Sequence, residues 1–256
     1  MNKNEQLDFL IRYLLNEDKK HADMEIPAAL SDKRRLFRSL MNVRPPAPVS
    51  EDFLNIQDAY LSVRLRERGI VKLTDLTPVQ PDLYLWQGDM TTLAVDAIVN
   101  AANSRMLGCF VPCHGCIDNA IHTYAGIQLR MACARLMDGQ AKEEPTGSAK
   151  ITEAYNLPCR YVLHTVGPII YGAVTETNEQ QLASCYRSCM ELAAKYGLRS
   201  VAFCCISTGA FHFPNALAAE IATRTVREWQ LQNTDKIKVI FNVFKDSDYE
   251  IYRRLI

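Results

Sequence analysis

Apolar residues recur at helical spacing near the start of the chain. Leu7, Leu10, Ile11, Leu14 and Leu15 fall on one helix face, and Leu30, Leu36, Leu40 and Met41 can line a second. The stretch Val43 to Ser50, with Pro45, Pro46 and Pro48, breaks this pattern. Ser50 suits the N-cap of a third helix running from about Glu51 to Arg68. From about residue 80 the pattern changes. Short runs rich in Val, Ile, Phe and Tyr predict strands at 82–88, 96–102, 161–166, 200–206 and 238–244. Helical patterns lie between them at 117–137, 178–196 and 214–231, with a last one near 246–255. Such alternation predicts an α/β fold with a largely parallel sheet covered by helices on both faces. The chain thus divides into a helical N-terminal extension (1–75) and an α/β domain (76–256). In such sheets ligands bind outside the carboxyl ends of the strands, so the loops after Asn100 and after Ile206 should meet at one edge.

Composition sharpens this picture. A chain of 256 residues with 48% hydrophobic and 23% charged residues suits one large α/β domain, or an ordinary domain with an extension. Lys and Arg total 29, as do Asp and Glu, so the net charge is zero. A broad basic surface for nucleic acid is therefore not expected, although a local anion site is compatible with it. No apolar run approaches the roughly 18 residues that span a bilayer. The N-terminus lacks the pattern of a signal peptide, which predicts a cytoplasmic protein with no membrane partner. The nine cysteines are expected mostly as thiols. Cys133, Cys159, Cys185, Cys189, Cys204 and Cys205 sit in apolar surroundings and read as small buried hydrophobes.

Two loops carry unusual chemistry. Ser207-Thr208-Gly209-Ala210-Phe211-His212-Phe213-Pro214 follows an apolar strand and precedes a helix. Its glycine lets backbone N–H groups approach a phosphate, and Pro214 suits the first turn of that helix. A tight strand-to-helix connection would read the same way, and His212 reads as a loop surface residue. The other loop, after Asn100-Ala101-Ala102-Asn103, contains Cys109, Cys113, His114 and Cys116 within eight residues. Thiolate and imidazole together suit zinc, which favours tetrahedral N/S coordination. Cys109, His114 and Cys116 would leave a fourth position open, as in catalytic sites; adding Cys113 would close the site. Cys116 sits where a helix begins, a setting that favours thiolate. His122, four residues after Asp118, shares a helix face with it and is either a group orienting its neighbours or a packed histidine.

Taken together these residues resemble the macrodomain family. Gly88-Asp89-Met90-Thr91, Asn100-Ala101-Ala102-Asn103, Pro145-Thr146-Gly147-Ser148-Ala149, His164-Thr165-Val166-Gly167-Pro168 and Ser207-Thr208-Gly209-Ala210-Phe211 follow the family's order over about residues 80–256. The resemblance implies a three-layer α/β/α sandwich with a mixed, largely parallel central sheet, and a cleft for ADP-ribose. It places Asp89 at the adenine amino group with Met90 nearby, and Asn100 and Asn103 at the distal ribose. Ser207, Thr208, Gly209, Ala210 and Phe211 would wrap the diphosphate, and Phe244 would pack on adenine. Where the family's common hydrolases carry a Gly-rich run followed by Val-Asp-Gly, this chain carries Gly108-Cys109-Phe110-Val111-Pro112-Cys113-His114-Gly115-Cys116. That departure resembles a zinc-dependent microbial subgroup. It implies Zn²⁺ on Cys109, His114 and Cys116, with Cys113 as the extra thiol.

The subgroup implies hydrolysis of mono-ADP-ribosylated protein, with a lipoyl-carrier protein modified by a class M sirtuin as the implied partner. The expected reaction cleaves the glycosidic ester between ADP-ribose C1″ and an Asp or Glu side chain. Asn103 would hold the ribose, and Asp118 is a candidate for proton transfer or orientation. A non-catalytic ADP-ribose reader and an O-acetyl-ADP-ribose deacetylase are the alternatives.

Overall fold

Asn2 starts the first helix by accepting from the Asn4 and Glu5 N–H groups, while Glu5 reaches back to the Asn2 N–H. The computed structural model describes residues 1–234 and 236–256. Helix α1 spans Lys3–Asn16, α2 Leu30–Val43 and α3 Glu51–Arg68. Ser50 Oγ accepts from the Phe53 N–H at 3.2 Å, as its position before the third helical pattern predicts. These helices bury Leu7, Leu10, Ile11, Leu15, Phe37 and Phe53 in a cluster of their own, joined by Ile127 from the rest of the chain. At about 1.5–3 kcal/mol per fully buried apolar side chain, this cluster holds the extension together.

The remainder forms strands β1 (Val71–Lys72), β2 (Pro78–Gln80), β3 (Leu83–Gln87), β4 (Leu93–Ala94), β5 (Ala97–Ala102), β6 (Ala149–Glu153), β7 (Tyr161–Val166), β8 (Ser200–Phe203) and β9 (Lys238–Val243). Interleaved with them are α4 (Ile117–Ala125), α5 (Ile127–Met137), α6 (Glu176–Lys195), α7 (Asn215–Gln232) and α8 (Asp246–Leu255). Seven strands make one sheet in the order β2-β3-β9-β8-β5-β7-β6, and β1 pairs with β4 separately. Pairing is parallel from β3 through β7 and antiparallel at both edges. Helices α6, α7 and α8 pack in series; α4 and α5 pack together, with α2 and α3 behind α4. The mixed, largely parallel α/β architecture is the expected one.

The differences from the sequence reading have local causes. The edge strands β2 and β6 carry no continuous apolar run; every residue of β2 is exposed. The pattern at 117–137 is broken into α4 and α5 by Gly126, whose φ is 93°. That conformation is strained for a residue with a Cβ, and a Cβ there would also lie 2.6 Å from Gln128 Oε1, so glycine is favoured. The run at 200–206 leaves the ladder after Phe203. Pro214 is the residue before the first turn of α7 rather than within it. Among the described residues, no helix is long and apolar enough to cross a membrane.

β5 sits between β8 and β7, so the chain leaves it in one direction and returns on its other side. That reversal opens a crevice at the carboxyl ends of β5 and β8. The two chemically unusual loops begin there.

Candidate functional site

A cleft of about 840 Å³ opens at this switch point. Asp89, Met90, Asn103, Cys109, His114, Cys116 and Asp118 line it on the β3 and β5 side; Ser207 through Phe211 and Phe244 complete it. One residue expected in this set stands elsewhere. Asn100 is fully buried in β5, and its amide is directed behind the cleft wall, to Asp118 Oδ1 at 2.8 Å and His164 Nδ1 at 3.2 Å. Strand alternation explains the difference: Asn100 and Asn103 share a motif, but Asn103 lies beyond the end of the strand.

The loop from Asn103 to Cys116 has no regular ladder, and side chains hold its backbone instead. Asn103 Oδ1 accepts from the Arg105 N–H at 3.1 Å, and its Nδ2 donates to Gly108 O at 3.1 Å. Gly108 has a φ of 79°, and a Cβ there would lie 2.7 Å from the His122 ring. Arg130 Nε donates to Leu107 O, and Asn119 Nδ2 to Val111 O. The extension supplies the rest. Arg38 donates to His114 O at 2.9 Å and to Asn119 Oδ1 at 2.7 Å. Asn42, buried in α2, accepts from the Cys113 N–H at 2.9 Å and donates to Thr123 Oγ1 at 3.0 Å.

This loop brings donor atoms of Cys109, His114 and Cys116 within 4.8 Å of one another. Cys109 Sγ is 3.6 Å from His114 Nδ1. Tetrahedral zinc with bonds of about 2.0–2.3 Å needs donors about 3.3–3.8 Å apart, so the set could hold such an ion. Cys113 is turned the other way, its thiol directed at the Arg35 carbonyl at 3.4 Å. Burial pushes the Cys116 thiol up to about 12; Cys109 and Asp118 add to the shift, and the Asn119 N–H opposes it. The helix start favours the thiolate through the Asn119 N–H, as its position predicts, but burial outweighs that one donor. A cation is what would reverse the balance.

Asp118 stands beside this set. Burial raises its carboxyl to about 6, against the Asn100 and Asn103 amides and the Arg130 cation, which lower it. Asn100 holds Oδ1, while Asn103 Nδ2 is 3.5 Å from Oδ2. His164 is pushed down to about 3 by burial. Its Nδ1 faces the Asn100 amide, so the proton resides on Nε2, 2.9 Å from Thr152 Oγ1. His122 Nε2 lies 3.5 Å from Asp118 Oδ1 without a hydrogen bond. Burial drives its pKa well below the usual histidine value, so this contact joins a neutral ring to the carboxyl and is not an ion pair.

Opposite, Ser207 adopts a φ of 64°, a strained conformation for a residue with a Cβ. Its Oγ is buried and, among the described residues, has no partner. Thr208 N–H turns back to Cys205 O, His212 N–H to Gly209 O and Phe213 N–H to Ser207 O. These bonds leave the intervening N–H groups of Gly209, Ala210 and Phe211 without protein acceptors among the described residues. A Cβ on Gly167 would overlap Ser207 Oγ, so the β7 loop supports this turn from below. His212 is exposed and outside the cleft lining, as its reading as a surface residue predicts.

At the far end, Asp89 accepts at Oδ1 from the Thr91 N–H and hydroxyl, and at Oδ2 from Arg68 of α3 at 2.9 Å. Arg68 in turn lies 3.5 Å from the centre of the Tyr124 ring. Asp89 keeps 42% of its side chain exposed, and the Phe244 side of the rim is open, with that residue 77% exposed. Arg38, Asn42, Arg68, Asn119 and Arg130 were not legible as parts of this region. They act across separations such as 21, 76 or 81 residues, and no local pattern marks them.

A family model described as Macro domain matches residues 99–222, which hold both cleft loops. The chain is 54% identical over 260 aligned residues to a Protein-ADP-ribose hydrolase of Treponema medium, with all of both chains covered. It is 48% identical to a Protein-ADP-ribose hydrolase of Staphylococcus aureus (strain MSSA476), covering 97% of this chain and 94% of that one. Among solved structures, the Trypanosoma brucei macrodomain in complex with ADP-ribose aligns with a TM-score of 0.66 and 33% identity, over 85% of this chain and 94% of that one. A mixed, largely parallel sheet with its crevice at the β5/β8 reversal, and relatives matching along the whole length, lead to one assignment: the chain belongs to the macrodomain family.

Proposed function

We propose that this macrodomain is an ADP-ribosyl hydrolase that removes mono-ADP-ribose from Asp or Glu side chains of modified proteins, with zinc held by Cys109, His114 and Cys116. The observation that carries the reading is the joining of that donor set with Asp118 and Asn103 on one cleft wall, in a chain 54% identical to a protein-ADP-ribose hydrolase. The free N–H groups at Gly209, Ala210 and Phe211 suit a diphosphate, and the unpaired Ser207 hydroxyl suits the same ligand. Asp89 offers acceptor lone pairs to an exocyclic amine, and Phe244 an open ring face to a purine.

With ADP-ribose so placed, Asn103 orients the distal ribose at the wall that carries Asp118. Asp118 Oδ1 is held by Asn100 at 2.8 Å, and Oδ2, with the longer 3.5 Å contact from Asn103, is the oxygen that accepts a proton from the attacking water. The new bond forms between water oxygen and C1″. The bond from C1″ to the side-chain oxygen breaks, and the acyl group leaves as its own carboxylate without needing a proton donor. Bound zinc supplies Lewis acidity at this wall. The buried His164–Asn100 pair fixes the Asp118 carboxyl plane from behind, as positioning residues.

The test is release of ADP-ribose from an aspartate- or glutamate-linked ADP-ribosylated protein, the lipoyl carrier first, by zinc-loaded and chelator-stripped enzyme. Release that vanishes on stripping and returns with zinc is the expected result. Equal release in both would remove zinc from the mechanism. Tight binding without release would make the protein a reader. Gly167→Ala is expected to displace Ser207 and weaken ADP-ribose binding about tenfold, because overpacking a close contact costs about 1–3 kcal/mol. Calorimetric titration showing unchanged affinity would detach this turn from the diphosphate.

A further inference from the structure

A second cavity, of about 400 Å³, lies between α2, α3 and α4. Arg34, Arg35, Arg38 and Arg64 line it, together with Cys113 and Tyr124. Its apolar side includes Phe37 and Tyr60, packed edge to face at 5.7 Å. The chain as a whole is neutral, so four arginines around one cavity are a local concentration of charge. Little balances them. Glu67 is the carboxylate paired there, and it is shared among Lys3, Arg34 and Arg64. Arg38 donates to a carbonyl and an amide, which leave its charge uncompensated. Arg35 is exposed, and among the described residues its guanidinium has no ion pair. Arg34 Nε is buried without a partner.

The position of this cavity gives the charge a use. Arg38 and Tyr124 line both it and the ADP-ribose cleft, so the two adjoin. Arg38 meets them at the cysteine loop, which presents Cys109, His114 and Cys116 to the cleft and Cys113 to the second cavity, while Tyr124 meets them farther along α4, under Arg68. If the distal ribose lies at that loop, the protein joined to C1″ leaves the cleft there. Two or three extended residues span about 7–10 Å, and Arg38 lines both spaces, so side chains flanking the modified residue face the neighbouring cavity. We infer that this arginine-lined cavity binds acidic residues flanking the modified side chain of the protein substrate. The inference rests on the hydrolase reading and adds a substrate class to it: proteins ADP-ribosylated within an acidic segment.

The experiment uses two synthetic peptides bearing mono-ADP-ribose on a central glutamate. One has three aspartates on each side; the other has asparagines in their place. The wild-type protein is expected to cleave the acidic peptide with kcat/KM about tenfold higher at low salt, as a few partly exposed charge pairs supply. Arg35→Glu combined with Arg64→Glu should abolish that preference and leave cleavage of the neutral peptide within about twofold. Arg35→Glu alone, which disturbs no ion pair, should remove part of it. Arg224→Glu, the same charge change on the exposed face of α7, should leave it intact. Equal cleavage of the two peptides by the wild type, or equal slowing of both by the double variant, overturns the inference while the hydrolase stands. Should the wild type cleave neither, the hydrolase reading fails, and fluorescence polarisation of the unmodified peptides decides the cavity separately. Tighter binding of the acidic one, lost on Arg35→Glu, sustains it; equal binding overturns it.

Discussion

On the proposed zinc reading, Cys116→Ser is expected to fold with nearly wild-type stability, fail to retain zinc, and turn over about 10²–10³-fold more slowly. The substitution separates two roles of one side chain. Cys116 is the N-cap of α4, its Sγ accepting from the Asn119 N–H at 3.4 Å. Serine is among the preferred N-caps, so the helix start should cost less than about 1 kcal/mol. The hydroxyl is a poor zinc ligand beside the thiolate it replaces, and two donors are left where three stood. The diphosphate turn lies on the other loop, so ADP-ribose affinity should remain within a few-fold. Metal analysis, thermal melting and single-turnover release measure the three quantities independently. A serine variant that retains zinc and full turnover would remove Cys116 from the mechanism.

Arg130→Met is expected to destabilise the protein by about 3–5 kcal/mol and lower its melting temperature by about 10 °C. Arg130 is buried in α5, where desolvation lowers its pKa to about 10, leaving it charged at neutral pH. Its guanidinium donates to the carbonyls of Met41, Asn42 and Arg44, which end α2, and to Leu107 of the cysteine loop. The α2 carbonyls are among those that a helix end leaves without intrahelical partners. Methionine fills similar space but donates nothing, so several buried carbonyls would lose their hydrogen bonds together. Because the same side chain joins the extension to the cysteine loop, retention of the proposed zinc should weaken in parallel. A melting temperature within about 2 °C of wild type would show that the joint is carried elsewhere.

Much of the fold was legible because its signals are local. The five predicted strands exist as the central part of the sheet, since parallel strands covered on both faces read as apolar runs. The first two N-terminal helices follow their leucine spacing, and Ser50 caps the third where its position predicts. The polar edge strands β2 and β6 were missed because exposure erases the apolar run that marks an interior strand. The period over 117–137 continues across Gly126; the side chains that satisfy the broken turn, Gln57 accepting from the Ile127 N–H and Asn156 donating to Ala125 O, lie outside any local window.

The site divides in the same way. Contiguous motifs identified Asp89, Asn103, the cysteine loop and the Ser207 turn, which the fold gathers around one cleft. Sequence alone thus determined the class of fold, the two loops that matter and the residue types they offer, because period and spacing are properties of neighbouring residues. Tertiary structure decided that Asn100 turns inward to Asp118 and His164, and that Cys113 points to α2 while Cys109, His114 and Cys116 converge. It also decided that Arg38, Asn42 and Arg130 hold the loop that carries them. Each of these outcomes depends on which distant element packs against the side chain and how much water that packing removes. Orientation, burial and long-range hydrogen bonding are set only when the helices of the extension close over α4 and the sheet.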